Sequence, residues 1–580
     1  MSPRPAERLA ITIAQLNPTL GDIAGNAEKV RRARVQAARE AADIVAFPEL
    51  FLCGYPPEDL VLKPALQAAC RATIEELARE TADGGPALLI GTPWVEDDKL
   101  YNSYCLLADG AIGALRFKVD LPNYGVFDEK RVFAAGPLPG PISYRGVRLG
   151  IPICEDIWGA EVVECLAETG AELLVVPNGS PYSRDKELVR LNIMVARVTE
   201  SDLPIVYVNQ VGGQDELVFD GASFALHGDR SLAFQLCAFR EAVKTLHWQR
   251  TGNGWRCIDG PIEAVEEGDR ADYRACMLGL RDYVNKNGFK GVVLGLSGGI
   301  DSALVAALAV DALGAERVRC VMLPYRFTAQ ESIEDAWRAA QALGVQYDVL
   351  PIESAVAGLE QALAPVLKDL PRDVTEENLQ SRTRGTILMA ISNKLGLMVV
   401  TTGNKSEMSV GYATLYGDMN GGFNPIKDLY KTQVYRLARL RNEWKPDDAL
   451  GPGRSVIPCN ILVRAPTAEL RENQTDQDTL PPYDVLDGIL ERLVEREQPI
   501  AKIVEEGFDR ETVMRVDRML NSAEYKRRQA APGVKVTMRN FGRDRRYPIV
   551  NRFRDSGKPL PEPDRSLLKA AAARSDAFDF

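Results

Sequence analysis

Gly295-Leu296-Ser297-Gly298-Gly299-Ile300-Asp301-Ser302 follows the unbroken apolar run Val292-Val293-Leu294 and leads into Ala303-Leu304-Val305-Ala306-Ala307-Leu308. A short apolar run without alternation reads as a strand buried on both faces, the kind found in parallel sheets. The glycines then let the backbone approach a ligand closely, and the N–H groups at the start of the next helix favour an anion. Ser297 and Ser302 add hydroxyl donors. A Walker A loop would carry a lysine before its final Ser/Thr, and none stands here. Asp301 would repel a phosphate unless Mg²⁺ bridged the two. The segment therefore predicts a phosphate site that works with a divalent cation.

Working outward, a helix is expected over 269–286 and another over 303–313. Strands follow at 317–323, 346–352 and 397–402, with helical stretches between them. Such alternation predicts α/β architecture with a doubly wound parallel sheet and ligands at the C-terminal strand ends. The first half also alternates. Strands are expected at 9–16, 43–47, 87–92, 101–107, 147–153, 173–176, 204–208 and 221–226, with helices near 26–42, 63–81, 160–169 and 186–201. Residues 251–268 carry Gly-Asn-Gly, a Trp, a Pro and an acidic run. The domain plan is thus 8–245, a linker at 246–268, a second domain at 269–553, and a loosely held tail at 554–580.

Composition narrows the chemistry. With 580 residues, the chain is long enough for two large domains, and 46% hydrophobic with 26% charged residues is an ordinary globular mixture. The net charge of −11 argues against nonspecific nucleic-acid binding, which needs a basic surface. No apolar run approaches the length that crosses a bilayer. Ten cysteines lie scattered with no C-x-x-C pair, which points away from zinc ribbons and disulfide frameworks and toward a reduced, cytoplasmic protein. Only two histidines occur, His227 and His247, neither in a site-like motif. Catalysis is therefore expected from carboxylates, lysines and cysteines.

Three first-half segments supply such a set. Glu49 follows the apolar run Ile44-Val45-Ala46-Phe47. Lys118 precedes the loop Leu121-Pro122-Asn123-Tyr124-Gly125. Cys154 ends Gly150-Ile151-Pro152-Ile153. A thiolate is a strong nucleophile; Glu49 can take its proton where no histidine can, and Lys118 can stabilise thiolate and oxyanion. Each residue taken alone fits a bland role, a core cysteine or a surface ion pair.

Together the three resemble the Glu-Lys-Cys triad of the nitrilase (carbon–nitrogen hydrolase) superfamily over about 8–240. That resemblance implies an α-β-β-α sandwich, with Glu49 as base, Lys118 as the second catalytic residue and Cys154 as nucleophile. Glu129 looks like the extra carboxylate of some members, and Tyr124, Ser180 and Lys186 sit where glutaminase members hold glutamine. The loop 295–302 resembles the pyrophosphate loop of the N-type ATP pyrophosphatases. With Thr401-Thr402-Gly403-Asn404-Lys405-Ser406-Glu407, the run 415–426, Asp428-Leu429-Tyr430-Lys431 and Tyr525-Lys526-Arg527-Arg528, the likeness narrows to NAD synthetases. It implies Gly295 to Ser302, Thr402 and Lys431 around ATP, Asp301 and Glu407 on Mg²⁺, and Asn378, Glu407 and Lys526 on deamido-NAD⁺. The combined order, over about 8–545, is similar to a family in which glutamine-derived ammonia amidates a carboxylate adenylated by ATP. The family likeness also implies small-molecule substrates, an ammonia channel and a homo-oligomer. Two other readings stand beside it: an amidotransferase acting on another carboxylate, and a first half that serves only as a docking module.

Overall fold

The computed structural model describes residues 6–252, 254–367 and 370–560. Its first half is a four-layer sandwich. One sheet has seven strands in the spatial order Gly254–Cys257, Ala242–Thr251, Arg8–Gln15, Ile44–Ala46, Ala87–Glu96, Lys99–Ala108 and Ala111–Phe117. The other has six, in the order Leu232–Gln235, Phe224–Leu226, Ile205–Asn209, Leu173–Asn178, Val147–Gly150 and Ile142–Tyr144. Side chains alternate between the faces of a strand, and the packing follows that alternation. Leu9, Ile11, Ile13, Leu173 and Val175 meet between the sheets. Leu174 and Val176, on the opposite face, pack on the helices Glu161–Glu168 and Lys186–Ser201. Val45, Leu88 and Ile90 pack on Ile23–Arg39 and Pro64–Glu80. Burial on both faces is why these strands read as continuous apolar runs.

The second half is built on a parallel sheet in the order Gln346–Val349, Val318–Met322, Val292–Gly295, Met398–Val399. Leu294 and Cys320 face the helices Gly268–Lys286, Ile300–Leu313 and Lys431–Glu443. Val293, Val321 and Val399 face the other way, toward Ile387 and Leu388 of the helix Val374–Leu395. Strand order reverses at Val292–Gly295, so the loop after Gly295 opens into the crevice where doubly wound sheets bind ligands.

Three expectations need correction. The stretch 246–257 is not linker. Ala242–Thr251 pairs antiparallel with Arg8–Gln15 over eight residues, Ala10 opposite His247, and Gly254–Cys257 forms the sheet edge beside it. Leu246, Trp248, Trp255 and Cys257 drive this by pointing into the sandwich core. In the expected tail, residues 561–580 lie outside the described residues, but 555–557 are held. The Ile500 N–H donates to Asp555 Oδ2 at 2.8 Å and Arg510 Nη1 to the Gly557 carbonyl at 2.8 Å. The strand at 397–402 shrinks to Met398–Val399.

The halves share one core, in which Val211, Val218 and Phe239 of the first meet Ala275, Leu278 and Val534 of the second. Polar contacts reinforce it. Gly213 N–H donates to Asp282 Oδ2 at 2.7 Å, Tyr182 Oη to Asp272 Oδ1 at 2.7 Å, and Lys286 Nζ to the Gly213 carbonyl at 2.9 Å. Residues 533–546 run back over the first half: Lys535 N–H donates to Glu216 O at 2.8 Å and Arg184 N–H to Val536 O at 2.9 Å. Among the described residues no helix is long and apolar enough to cross a membrane.

Candidate active sites

In the first half, the ends of three strands come together, two from the seven-stranded sheet and one from the six-stranded sheet. Glu49 follows Ile44–Ala46, Lys118 follows Ala111–Phe117, and Cys154 lies just past Val147–Gly150. All three are buried. Lys118 Nζ donates to Glu49 Oε1 at 2.7 Å and to Glu129 Oε1 at 2.9 Å. Burial alone would lower the Lys118 pKa, but Glu129 and Glu49 outweigh it and hold the ammonium well above its ordinary value. Burial also raises Glu129, with Lys118 opposing. At Cys154, burial and then the Glu49 carboxylate push the thiol well up, against the pull of Lys118. Burial and the neighbouring carboxylate thus favour the thiol over the thiolate at Cys154. A positive φ of 47° at Cys154 is a conformation that non-glycine residues rarely adopt, and it persists where surrounding structure enforces it.

Several partners carried no sequence signal. Asn102 Nδ2 donates to Glu49 Oε1 at 2.7 Å and Gly179 N–H to Glu49 Oε2 at 3.0 Å. Tyr55 Oη donates to Glu129 Oε1 at 2.7 Å, leaving Glu129 Oε2 buried and without a hydrogen bond. Gly179 is required by close approach, since a Cβ there would fall 2.5 Å from the Tyr55 ring.

The residues expected to hold glutamine surround this triad. Tyr124, half-exposed, donates its hydroxyl to Glu155 at 3.0 Å. Lys186 opens the helix Lys186–Ser201 with its ammonium 4.2 Å from the Trp158 ring centroid. Burial, and secondarily Arg190, lowers its pKa to about 8. Ser180 accepts from Arg190 Nε at 3.0 Å. Arg190 is itself buried, paired with Asp220 at 2.7 Å, and donates to the Ser180 and Pro181 carbonyls. It sets the loop after Leu173–Asn178 in place. The returning segment 533–546 touches the same rim: Arg546 Nη2 donates to the Gly125 carbonyl at 3.2 Å, and Arg543 pairs with Glu58.

In the second half, Gly295 to Ser302 all line one cavity of about 310 Å³. Ser297 Oγ and Ser302 Oγ lie 3.1 Å apart, and Gly299 N–H donates to Ser297 Oγ at 3.2 Å. Gly298 has φ 81°, and a Cβ there would stand 2.2 Å from the Ser332 carbonyl oxygen. Only glycine fits. Thr402, Glu407 and Lys431 line the same cavity. Lys431 Nζ sits between Asp301 Oδ2 at 2.5 Å and Glu407 Oε1 at 3.0 Å. Asn404 Nδ2 donates to Asp301 Oδ1 at 2.9 Å while its Oδ1 caps the Glu407 N–H at 3.0 Å. Burial raises Glu407 to about 7, with Lys431 pulling it down and Asp301 pushing it up. Two carboxylates thus share one ammonium, a net negative pair suited to a cation. Among the described residues no group of three or more His, Cys, Asp or Glu side chains gathers as a metal cage.

Asn378 and Lys526 do not line this cavity. Instead they flank the loop after the helix Lys405–Val410. Lys526 Nζ donates to the Gly411 and Ala413 carbonyls at 2.7 Å each, and Asn378 Oδ1 accepts from Thr414 Oγ1 at 3.0 Å. Arg384 and Arg464, absent from the sequence reading, line the cavity wall.

Comparison with known proteins agrees with both halves. Residues 10–245 match the carbon–nitrogen hydrolase family and 273–530 the NAD synthase family. The glutamine-dependent NAD(+) synthetase of Rhodobacter capsulatus is 53% identical over 549 residues, covering 95% of this chain and 99% of that protein. The Thermotoga maritima protein of that name is 42% identical, covering 95% and 100%. A solved structure of glutamine-dependent NAD⁺ synthetase from Acinetobacter baumannii with ADP matches at TM-score 0.75 and 42% identity, over 94% of this chain and 99% of that one.

Proposed function

We propose that this chain, which belongs to the family of glutamine-dependent NAD(+) synthetases, divides its reaction between the two centres just described. The activity is that of a carbon–nitrogen ligase. Glutamine is hydrolysed to glutamate and ammonia, and ammonia amidates deamido-NAD⁺ after ATP has adenylated its carboxylate, giving NAD⁺, AMP and pyrophosphate. The observation that carries the assignment of roles is Lys118 Nζ held between Glu49 and Glu129, all buried together with Cys154.

In the first centre, Glu49 takes the Cys154 proton as sulfur attacks the glutamine amide carbon. Lys118 lies ready to stabilise the oxyanion. The proton passes to the departing nitrogen, which leaves as ammonia. Water, activated by Glu49, then hydrolyses the thioester to glutamate and returns the thiol. Tyr124 and Glu155 suit the ammonium group of glutamine, and Lys186 and Ser180 its carboxylate. In the second centre, the loop Gly295 to Ser302 offers backbone N–H groups and hydroxyls to the ATP phosphates. Asp301 and Glu407 are the residues that would hold Mg²⁺, which when bound supplies positive charge to the phosphates. Lys431 and Thr402 border the same phosphates. Asn378 and Lys526 set the loop 411–414, which with Glu407 forms the wall for deamido-NAD⁺.

Assembly as a homo-oligomer would give exposed apolar side chains around residues 353–374 something to pack against. In the helix Glu353–Leu367 only Val356 is buried. Val366 is 77% exposed, Leu370 64% and Val374 60%. Ten free cysteines suit the reducing cytoplasm. The test is NAD⁺ formation from deamido-NAD⁺, ATP and Mg²⁺, with glutamine or ammonium, in wild type, Cys154→Ala and Asp301→Asn. Cys154→Ala should use only ammonium and Asp301→Asn neither source. Equal glutamine use by Cys154→Ala would sink the first assignment, and unchanged ATP consumption by Asp301→Asn the second.

A further inference from the structure

Asp156 is buried two residues beyond Cys154, on the single turn Cys154–Ile157. Its Oδ2 accepts from the Ile153 N–H at 2.9 Å. Its Oδ1 accepts from the Val119 N–H at 2.9 Å and the Asp120 N–H at 2.7 Å. The three donors are the backbone groups directly before Cys154 and directly after Lys118. Asp156 N–H also donates to the Ile153 carbonyl at 3.1 Å, so the turn around Cys154 is closed from both ends. Among the described residues no Lys, Arg or His lies within ion-pair distance of this carboxylate. Burial pushes the Asp156 carboxyl up to about 7, opposed by the Asp120 and Ile153 N–H groups and then by Lys118; a buried carboxylate is costly unless such hydrogen bonds offset it.

We propose that Asp156 is a positioning residue for glutamine hydrolysis. It locks the strand end carrying the nucleophile to the strand end carrying Lys118, and it enforces the positive φ of Cys154. The residue type follows from this geometry. A carboxylate accepts at both oxygens, whereas an amide of the same shape accepts at one only. Asparagine here must abandon either Ile153 or the 119–120 pair. Cys154 and Lys118 then lose their fixed separation, which attack on the amide and capture of the oxyanion require together. Of the groups proposed to bind glutamine, Tyr124, Ser180 and Lys186 lie on other segments and only Glu155 shares this turn, so the loss falls chiefly on kcat.

The inference rests on the proposed role of Cys154, so wild type and Cys154→Ala accompany the test. Glutamate release is measured for the full chain with deamido-NAD⁺, ATP and Mg²⁺ present, and ammonium-driven NAD⁺ formation on the same sample reports the folded, active fraction. For Asp156→Asn, a kcat lower on the order of 100-fold, with KM for glutamine within about threefold and ammonium-driven synthesis unchanged, is the expected result. An unchanged kcat in Asp156→Asn beside an inactive Cys154→Ala overturns the positioning role alone. A fall in ammonium-driven synthesis in step with glutamate release, or a loss carried by KM, also overturns it, because the carboxylate then serves only the fold. Glutamate release by Cys154→Ala at the wild-type rate overturns the reading of the first centre, and this inference with it.

Discussion

Replacing Lys118 by Met keeps the length of the side chain and removes its charge from a buried site. Lys118 and Glu49 are fully buried and Glu129 is 5% exposed, with the ammonium 2.7 Å from one carboxylate and 2.9 Å from the other. The variant leaves two buried carboxylates facing each other with no cation. Removing one partner of a buried ion pair costs about 3–5 kcal/mol, because the remaining charge stays uncompensated. In a unit of this size each kcal/mol moves the melting midpoint by roughly 2–4 °C, so a downward shift of about 6–20 °C is expected for the first half. The carboxylates can relieve the strain only by binding a proton. That proton, if it sits on Glu49, removes the base that Cys154 needs. Loss of the oxyanion's cation costs a further factor of about 100–1,000. Scanning calorimetry of the full chain and glutamate release read the two consequences separately, and ammonium-driven NAD⁺ synthesis serves as the internal control. A midpoint within about 2 °C of wild type, or glutamate release within threefold of it, would refute the view that Lys118 is the counter-ion of both carboxylates.

Two further outcomes concern Lys186 and Gly298. The lowered pKa of Lys186, about 8 by burial and then Arg190, means that its ammonium is lost as pH rises through 8. KM for glutamine should then climb by up to about tenfold per pH unit above that point, with kcat steady and ammonium-driven synthesis free of this effect; a flat KM from pH 7 to 9.5 would remove Lys186 from the binding site. Gly298→Ala must move either the loop or the Ser332 carbonyl, which lies 2.2 Å from the added Cβ at a φ of 81°. The strain is on the order of 1–3 kcal/mol, and ATP KM should rise with both nitrogen sources while glutamine hydrolysis persists; an unaltered ATP KM would show that the loop tolerates the shift.

Gly298 also marks what local sequence can say. Its positive φ and the helix start after it are properties of a few adjacent residues, and so the glycine-rich loop is legible in the sequence. The same holds for the apolar runs that end at Glu49 and Cys154. Buried strands advertise themselves by unbroken Val, Ile and Leu, and a reactive residue at the end of such a run is visible without knowing its neighbours. The hairpin at 242–257 was missed because Gly, Trp and acidic residues look like a linker until Leu246, Trp248, Trp255 and Cys257 are seen to share one face of a sheet. Nothing local reports that face when the partner strand, Arg8–Gln15, lies more than 200 residues away.

The sequence by itself therefore determined two α/β halves, a glycine-rich turn between a buried strand and a helix, and the placing of Glu49, Lys118 and Cys154 near strand ends. Only the tertiary structure decided how those side chains are charged and held. Asn102, Tyr55 and Arg190 look like any other polar or aromatic residue in the chain, and they acquire their roles at Glu49, Glu129 and Ser180 from strand ends brought together across the sandwich. The same is true of the segment 533–546, written as part of the second half yet resting on the rim of the first. Backbone preference and side-chain periodicity act over a few residues, so sequence reveals them. Burial, ion pairing and pKa depend on which distant segments meet, and only the folded chain fixes that.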